Sequence, residues 1–276
     1  MQRLVLPFVS LLAALALPSC LQQATTVHLN KDGSGTLVEE TTFGAQMSAM
    51  LEQMGGLGGA NAKGQGQVPD PAKEMASMDK AKARAATLGE GVTVEKAEAI
   101  TVDGNKGGRV TYHFADINHL KLSAGSGLQD AMPKMPGAPE AEPSKALPTT
   151  FKYADGVLTI TNPDREKPEV PAADKPKTPE LDSAQMEPMM KQMLGDMKMS
   201  LKVVIEPGIA STTASHVKGN TVTLAEMDMG KVMDNPGAFK KLQRMDQKDP
   251  AKAMAALKDF KGVTVETQPQ ITIKLK

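Results

Sequence analysis

Apolar and polar residues alternate with a period of two along several short stretches of this 276-residue chain, most clearly in FKYADGVLTI (151–160). That period is the mark of a strand with one buried face. Asp155-Gly156, between the alternating arms, is a two-residue hairpin turn, because both turn positions need a positive φ that Asp tolerates and Gly adopts freely. The turn sets the register: Tyr153 opposes Leu158 and Phe151 opposes Ile160 on one side, with Lys152 and Thr159 on the other. TTVHLNKDGSGTLVEETTF (25–43) reads as a second hairpin with a longer Gly-rich loop. GVTVEKAEAITVDGNKGGRVTYHF (91–114) reads as a third, with Val110, Tyr112 and Phe114 on one face. MSLKVVIEPG (199–208), NTVTL (220–224) and QITIKLK (270–276) add strands of the same half-buried type.

Between these strands the period lengthens to that of a helix. FGAQMSAMLEQM (43–54) places Met47, Met50, Leu51 and Met54 on one stripe, and EPMMKQMLGDM (187–197), starting at Pro188, repeats the habit with Met190, Met193 and Met197. DPAKEMASMDKAKARAATL (70–88) reads as a helix with Asp70 as cap and Pro71 in the first turn. NPGAFKKLQRM (235–245) and DPAKAMAALKDF (249–260) give two more short helices. Three stretches, at 55–70, 124–148 and 163–182, are dominated by Gly, Pro, Ala and charge. They hold too few apolar side chains to offset chain entropy and read as disordered insertions. The expected fold is one α+β domain over 25–276: a curved antiparallel sheet of several hairpins covered by short amphipathic Met-rich helices.

One pattern recurs. AKARAATLGEGVTVEKAEAITV (81–102) and AKAMAALKDFKGVTVETQPQITI (251–273) each run from a helix into Gly-Val-Thr-Val-Glu and reach Ile-Thr after the same four-residue interval. Two related helix-strand units would produce this echo, and so would convergence of Ala/Lys helices and Val/Thr strands; local propensity favours convergence.

The N-terminus has a different character. Arg3 precedes an apolar run from Leu4 to Leu17 broken only by Pro7 and Ser10, and Ser19 stands before Cys20, the single cysteine. A run this short suits a secretory leader and falls short of the ~20 apolar residues that span a bilayer. With no second cysteine, a disulfide is excluded by arithmetic. The reading is a leader over 1–19, a lipid-modified Cys20 and an anchored N-terminus over 20–24. The small residue before the cysteine resembles the bacterial lipobox, from which Pro18 departs. By the same resemblance, Leu21 after the cysteine implies the periplasmic face of the outer membrane if the host is Gram-negative.

Composition narrows the function. The chain carries 32 basic and 32 acidic side chains, and loss of Arg3 with the leader leaves a net charge of −1. Nucleic-acid binding needs a basic excess and is excluded. Aromatic residues make up 3%, with no Trp, which argues against a stacking platform for glycans.

LKVVIEPGIASTTASHVKGNTVTL (201–224), with Pro207-Gly208 and Gly219-Asn220-Thr221-Val222-Thr223, resembles the strand–turn–strand signature of the LppM-like domain family of bacterial envelope lipoproteins. LNKDGSGTLVEE (29–40) resembles the opening hairpin of that family. The chain departs from it at Leu224, where an aromatic is expected, and in having no membrane helix afterwards. The resemblance implies an envelope α+β domain that engages lipids, and it carries over no catalytic residue.

No catalytic or metal motif emerges from the residues themselves. His28, His113, His119 and His216 are scattered, without the His-Glu-x-x-His spacing of a zinc site. SAGSG lacks the nucleophile-elbow spacing, GGLGG misses the dinucleotide pattern, and NKDGSG holds too few oxygen ligands for calcium. Methionine is the sharper signal, at 19 residues with six between Met186 and Met199. Clustered thioethers suit Cu(I), a packed core or an adaptable apolar surface, and packing is the commonest use. The sequence therefore points to a non-enzymatic lipoprotein without cofactor or metal, attached to a membrane through Cys20. It binds a lipid or other apolar ligand at Met47, Met50, Met54, Met190, Met193 and Met197; the alternative is a module that docks an envelope protein.

Overall fold

The computed structural model describes residues 21–44, 48, 71–122, 148–162, 191, 195–235, 237 and 259–276. Its strands are β1 (Leu21–Leu29), β2 (Gly35–Phe43), β3 (Thr93–Val102), β4 (Asn105–Phe114), β5 (Lys121–Leu122), β6 (Thr149–Ala154) and β7 (Val157–Thr161), followed by β8 (Lys198–Ile205), β9 (Ile209–Thr212), β10 (Val217–Lys218), β11 (Thr221–Asp228), β12 (Val263–Val265) and β13 (Gln270–Leu275). The described helices are short: α1 (Pro71–Met75), α2 (Met78–Leu88) and α3 (Met229–Met233). The α+β reading stands, with strands dominant and antiparallel pairing prevalent.

The strands form two sheets where one was expected. The larger has the order β10-β11-β8-β1-β2-β4-β3, with β12 also on β11; the smaller has the order β5-β6-β7-β13-β9. Every pair is antiparallel except β1 with β8. The two inner faces close on each other over one core that joins Val27, Leu29, Leu37, Tyr112 and Phe114 of the larger sheet to Phe151, Leu158, Ile160, Ile271 and Ile273 of the smaller. Each of these positions is one of an alternating set, so strand periodicity alone delivers them to the same side. Alternation does not say what faces that side, and here the partner is mostly another sheet. Helical contributions to this core among the described residues come from α2, through Ala81, Ala85 and Leu88, and from the 3-10 turn Ile117–His119, through Ile117.

The hairpins follow the sequence closely. Asp155 and Gly156 have φ of 51° and 75°, and the pairs Tyr153–Leu158, Phe151–Ile160 and Lys152–Thr159 are those the turn requires. The second hairpin pairs Leu29 with Gly35 across its loop, and the third turns at Asp103-Gly104. The helix expected over 70–88 is instead two, α1 and α2, interrupted at Ala76-Ser77. The residues of the predicted insertions and of the helices at 43–54 and 235–260 lie almost wholly outside the described ones. Leu21 to Ala24, assigned above to the anchored N-terminus, are the first four residues of β1: Leu21 pairs with Phe43 and Gln22 with Lys198. Their polar composition hid a strand whose neighbours come from elsewhere in the chain.

The sequence echo diverges in space. Gly91 and Gly262 both have positive φ (76° and 93°) and both lead into the larger sheet, but β3 continues there through Ile100-Thr101 while the chain after β12 crosses to the smaller sheet as β13. The crossing is held by Glu266, which is 6% exposed and accepts hydrogen bonds from the Ser215 and Gln268 backbone N–H groups at 2.6 and 3.2 Å. A second junction uses Asn118, whose Oδ1 accepts from Tyr153 N at 2.7 Å, while the Tyr153 hydroxyl donates to Lys31 O at 2.6 Å. Side chains thus satisfy backbone groups where the ladder is interrupted.

Gly89, which ends α2, has φ 142°, and a Cβ there would stand 2.0 Å from His119 O, whereas Gly91 (φ 76°) has open space around it. Gly89→Ala is expected to cost about 3 kcal/mol, from a conformation restricted to glycine plus the clash. Gly91→Asn is expected to cost about 1 kcal/mol or less. Urea denaturation with an unchanged m-value measures both.

Candidate functional site

The inner face of the larger sheet changes character along β1. The row Val203–Val27–Leu37–Tyr112 is apolar and sealed by the smaller sheet. One pleat on, the row is Leu201–Thr25–Glu39–Val110; the next is Met227–Met199–Gln23–Thr41–Gly108. The last pairs Leu21 with Phe43 and Phe43 with Lys106. Thr25, Gln23 and Thr41 are half-buried. The face is thus apolar at one end and mixed further on, where Leu21 and Phe43 are buried, Gly108 lies against Met75 of α1, and methionine rims one side.

That rim is a second apolar cluster, separate from the main core. Met227, Met229 and Val232 are buried, and Met197, Met199, Phe260 and Val263 pack half-buried against them. Backbone hydrogen bonds draw three segments together: Met229 N donates to Met197 O (2.9 Å) and Asp228 N to Gly262 O (2.8 Å). Asp228 caps α3, its Oδ1 accepting from Lys231 N at 3.3 Å. At the other end of α3, the Asn235 amide donates to Lys231 O (2.7 Å) and Val232 O (3.0 Å) while its Oδ1 accepts from Lys261 N (3.1 Å). The cluster is soft, because unbranched thioethers fill irregular gaps, but the backbone around it is tied on three sides.

Charge is arranged by face. On the inner face the Arg84 guanidinium of α2 grips Glu39 with two bonds, at 2.9 and 3.4 Å, and both side chains are 13% exposed. On the outer face Glu40, Arg109, Glu98 and Lys96 form a ladder across β2, β4 and β3, with contacts of 2.6, 3.6 and 2.8 Å. The hydrogen bond to Glu40 raises the Arg109 pKa, and the hydrogen bond from Lys96 lowers that of Glu98. Such exposed pairs are screened by solvent and mark a solvated face. For Asp228, partial burial pushes the pKa up, but the Lys231 backbone and side-chain hydrogen bonds and the Lys231 and Lys198 charges outweigh it, and the net direction is down. Among the described residues no group of three or more His, Cys, Asp and Glu is placed to hold a metal ion, and no helix is long and apolar enough to cross a membrane.

Of the anchor and ligand-surface residues proposed from the sequence, Met197 alone is described; Cys20, Met47, Met50, Met54, Met190 and Met193 lie outside the described residues. Met197 is not the third rung of a helical stripe. Gly195 N donates to Lys191 O at 2.8 Å, a turn follows, and Met197 stands immediately before β8. Gly is a common terminator of helices, and its position after Leu194 was the available signal. The residues that join Met197 were missed: Met199, Met227 and Met229. Their signal is position at strand ends: Met199 lies in β8 and Met227 in β11, while Met197 precedes β8 and Met229 follows β11.

Asp228→Ala is expected to remove about 1 kcal/mol by loss of the cap, and Asp228→Asn, which keeps an acceptor, less. Because the fold lowers this carboxyl's pKa, its contribution is fully present above the ordinary carboxylate value of about 4 and disappears as the pH falls through the lower folded value. Chemical denaturation at neutral pH and at about pH 3 should show the native protein losing part of its advantage over Asp228→Asn at the lower pH.

No family model matches the chain, and no curated protein matches it. Among solved structures, the NMR structure of the folded domain of LppM from Mycobacterium tuberculosis aligns over 77% of this chain and 85% of that one, at 9% identity and a TM-score of 0.31. The likeness is a distant one in structure, and it assigns neither a ligand nor a role to any residue.

Proposed function

We propose that this chain is a non-enzymatic bacterial envelope lipoprotein, held at a membrane by lipid on Cys20, that binds a lipid or another apolar ligand at the methionine-lined end of its larger sheet. The anchor rests on the residues around Cys20: a basic residue, a short apolar run, a small residue and a single thiol. The ligand rests on one observation, the cluster of Met197, Met199, Met227 and Met229 beside the half-buried polar row of Gln23 and Thr41. Polarizable, flexible side chains accept acyl chains of varied shape, and a few polar groups at the margin suit a headgroup.

Cys20→Ala is expected to leave the fold intact and release the protein from membranes, because the attachment is covalent. Membrane flotation measures this, and retention of a cleaved Cys20→Ala protein would contradict the anchor. Native mass spectrometry after gentle purification reads the ligand: co-purifying lipid supports the proposal, and a stoichiometric protein moves the function to partner docking.

Met197→Leu combined with Met199→Leu keeps volume and should cost less than about 1.5 kcal/mol in stability. The same variant is expected to bind a fluorescent fatty-acid probe more weakly, or with altered chain-length preference, because branched side chains adapt less. Unchanged probe binding would remove this end of the sheet from the ligand hypothesis.

A further inference from the structure

We infer that the protein stands upright on the bilayer, with the Leu21 end of the larger sheet against the lipid headgroups and the smaller sheet pointing away. This orientation rests on the anchor at Cys20 proposed above and adds to it a surface and a partner, the bilayer itself.

The argument is one of reach. β1 begins at Leu21, so no flexible tether separates an anchor on Cys20 from the sheet. Adjacent Cα atoms are about 3.8 Å apart, which leaves the first row of the sheet within a few ångströms of the lipidated residue. β1 lies well inside the sheet, flanked by β2 and β8, and the rows are fixed by register. Leu21 pairs with Phe43, Phe43 with Lys106, and Lys106 with Thr101; on the other side Gln22 pairs with Lys198, and Lys198 with Asp228. At about 4.8 Å per strand, these six strands present a front of roughly 24 Å. A front that wide, joined to its anchor near the middle, resists tilting.

The opposite end is held far from the anchor. His28 is seven residues along β1, about 23 Å away at strand rise. His28 pairs with Val204, Val204 with Thr221, and Thr221 with Lys218. The loop after β1 docks on the smaller sheet, with the Tyr153 hydroxyl donating to Lys31 O, so the smaller sheet is distal. The front carries Lys106 and Lys198 but also Asp103 and Asp228, and Lys231 faces Asp228 at 3.2 Å. The described charges at this front are of both signs and partly paired, so the covalent attachment and the missing tether set the orientation. It also places Met197 and α3 on the bilayer side, where an apolar ligand passes to and from the membrane without crossing water.

The test uses the chain's single cysteine: once Cys20 is acylated, a second cysteine is the only free thiol. Lys106→Cys and Lys198→Cys mark the front; Lys152→Cys and Lys218→Cys mark the distal end, and all four lysines are exposed. Each full-length variant is nitroxide-labelled and reconstituted into phosphatidylethanolamine–phosphatidylglycerol vesicles doped with a nickel-chelating lipid. Relaxation enhancement by surface nickel is expected to be severalfold greater at 106 and 198 than at 152 and 218. A Gly-Ser linker of 15 residues inserted between Cys20 and Leu21, with a root-mean-square reach of roughly 20 Å, should abolish the difference. Intact-mass measurement of the same samples separates the two ideas. An acylated, vesicle-bound protein with equal enhancement at all four sites overturns the orientation alone, whereas an unacylated protein overturns the anchor and the orientation with it.

Discussion

The parallel pairing of β1 with β8 is the contact on which the larger sheet depends. Without it there are two antiparallel groups, β1 to β4 and β8 with β10 to β12, each with a long open edge. With it, residues 22–29 and 198–205 lie side by side and one continuous inner face results. Val27 and Val203 become neighbours in the core, and Gln23 and Met199 become neighbours at its margin. Parallel ladders are somewhat weaker per residue than antiparallel ones, so this joint relies on the burial of Val27, Leu29, Val203 and Ile205, none of which is measurably exposed. It also closes a loop of more than 170 residues, which sets a high contact order and slow folding.

Two consequences follow for function. Because β1 sits inside the sheet, whatever is attached to the residue before Leu21 is attached close to the middle of the sheet's front. Because β8 carries Met199 beside Gln23, and β11 pairs Met227 with Met199, four of the described methionines, Met197, Met199, Met227 and Met229, gather toward that front. The aliphatic and aromatic core is packed between two sheets, with Glu266 and Asn118 hydrogen-bonded at the crossings.

Much of the local structure was legible in the residues. Asp155-Gly156 dictated its turn and, through it, every pair of β6 with β7. Alternation placed Val110, Tyr112 and Phe114 on the buried face of β4, and all three are buried. Of the methionines that the sequence places on helical stripes, Met197 alone is among the described residues, and it stands just before β8 rather than on a helix; Met199 and Met227, which gather with it, lie on strands. Met190, Met193 and Met197 are three and four apart and satisfy a helical stripe in sequence; Gly195 ends the turn before the last of them is reached.

What the sequence by itself determined is whatever depends on a residue and its near neighbours: turn type, strand register within a hairpin, and which face of each strand is apolar. What only the tertiary structure decided is which distant segment each face and edge meets. Nothing in Leu21–Leu29 specifies Lys198–Ile205 as its partner, because backbone hydrogen bonds are the same for every residue and carry no address. The division into two sheets, the crossing of the chain between them after Glu206 and Glu266, and the convergence of Met197, Met227 and Phe260 all turn on such long-range choices. Burial of the alternating apolar faces makes those choices, and it does so only when all of them are made together.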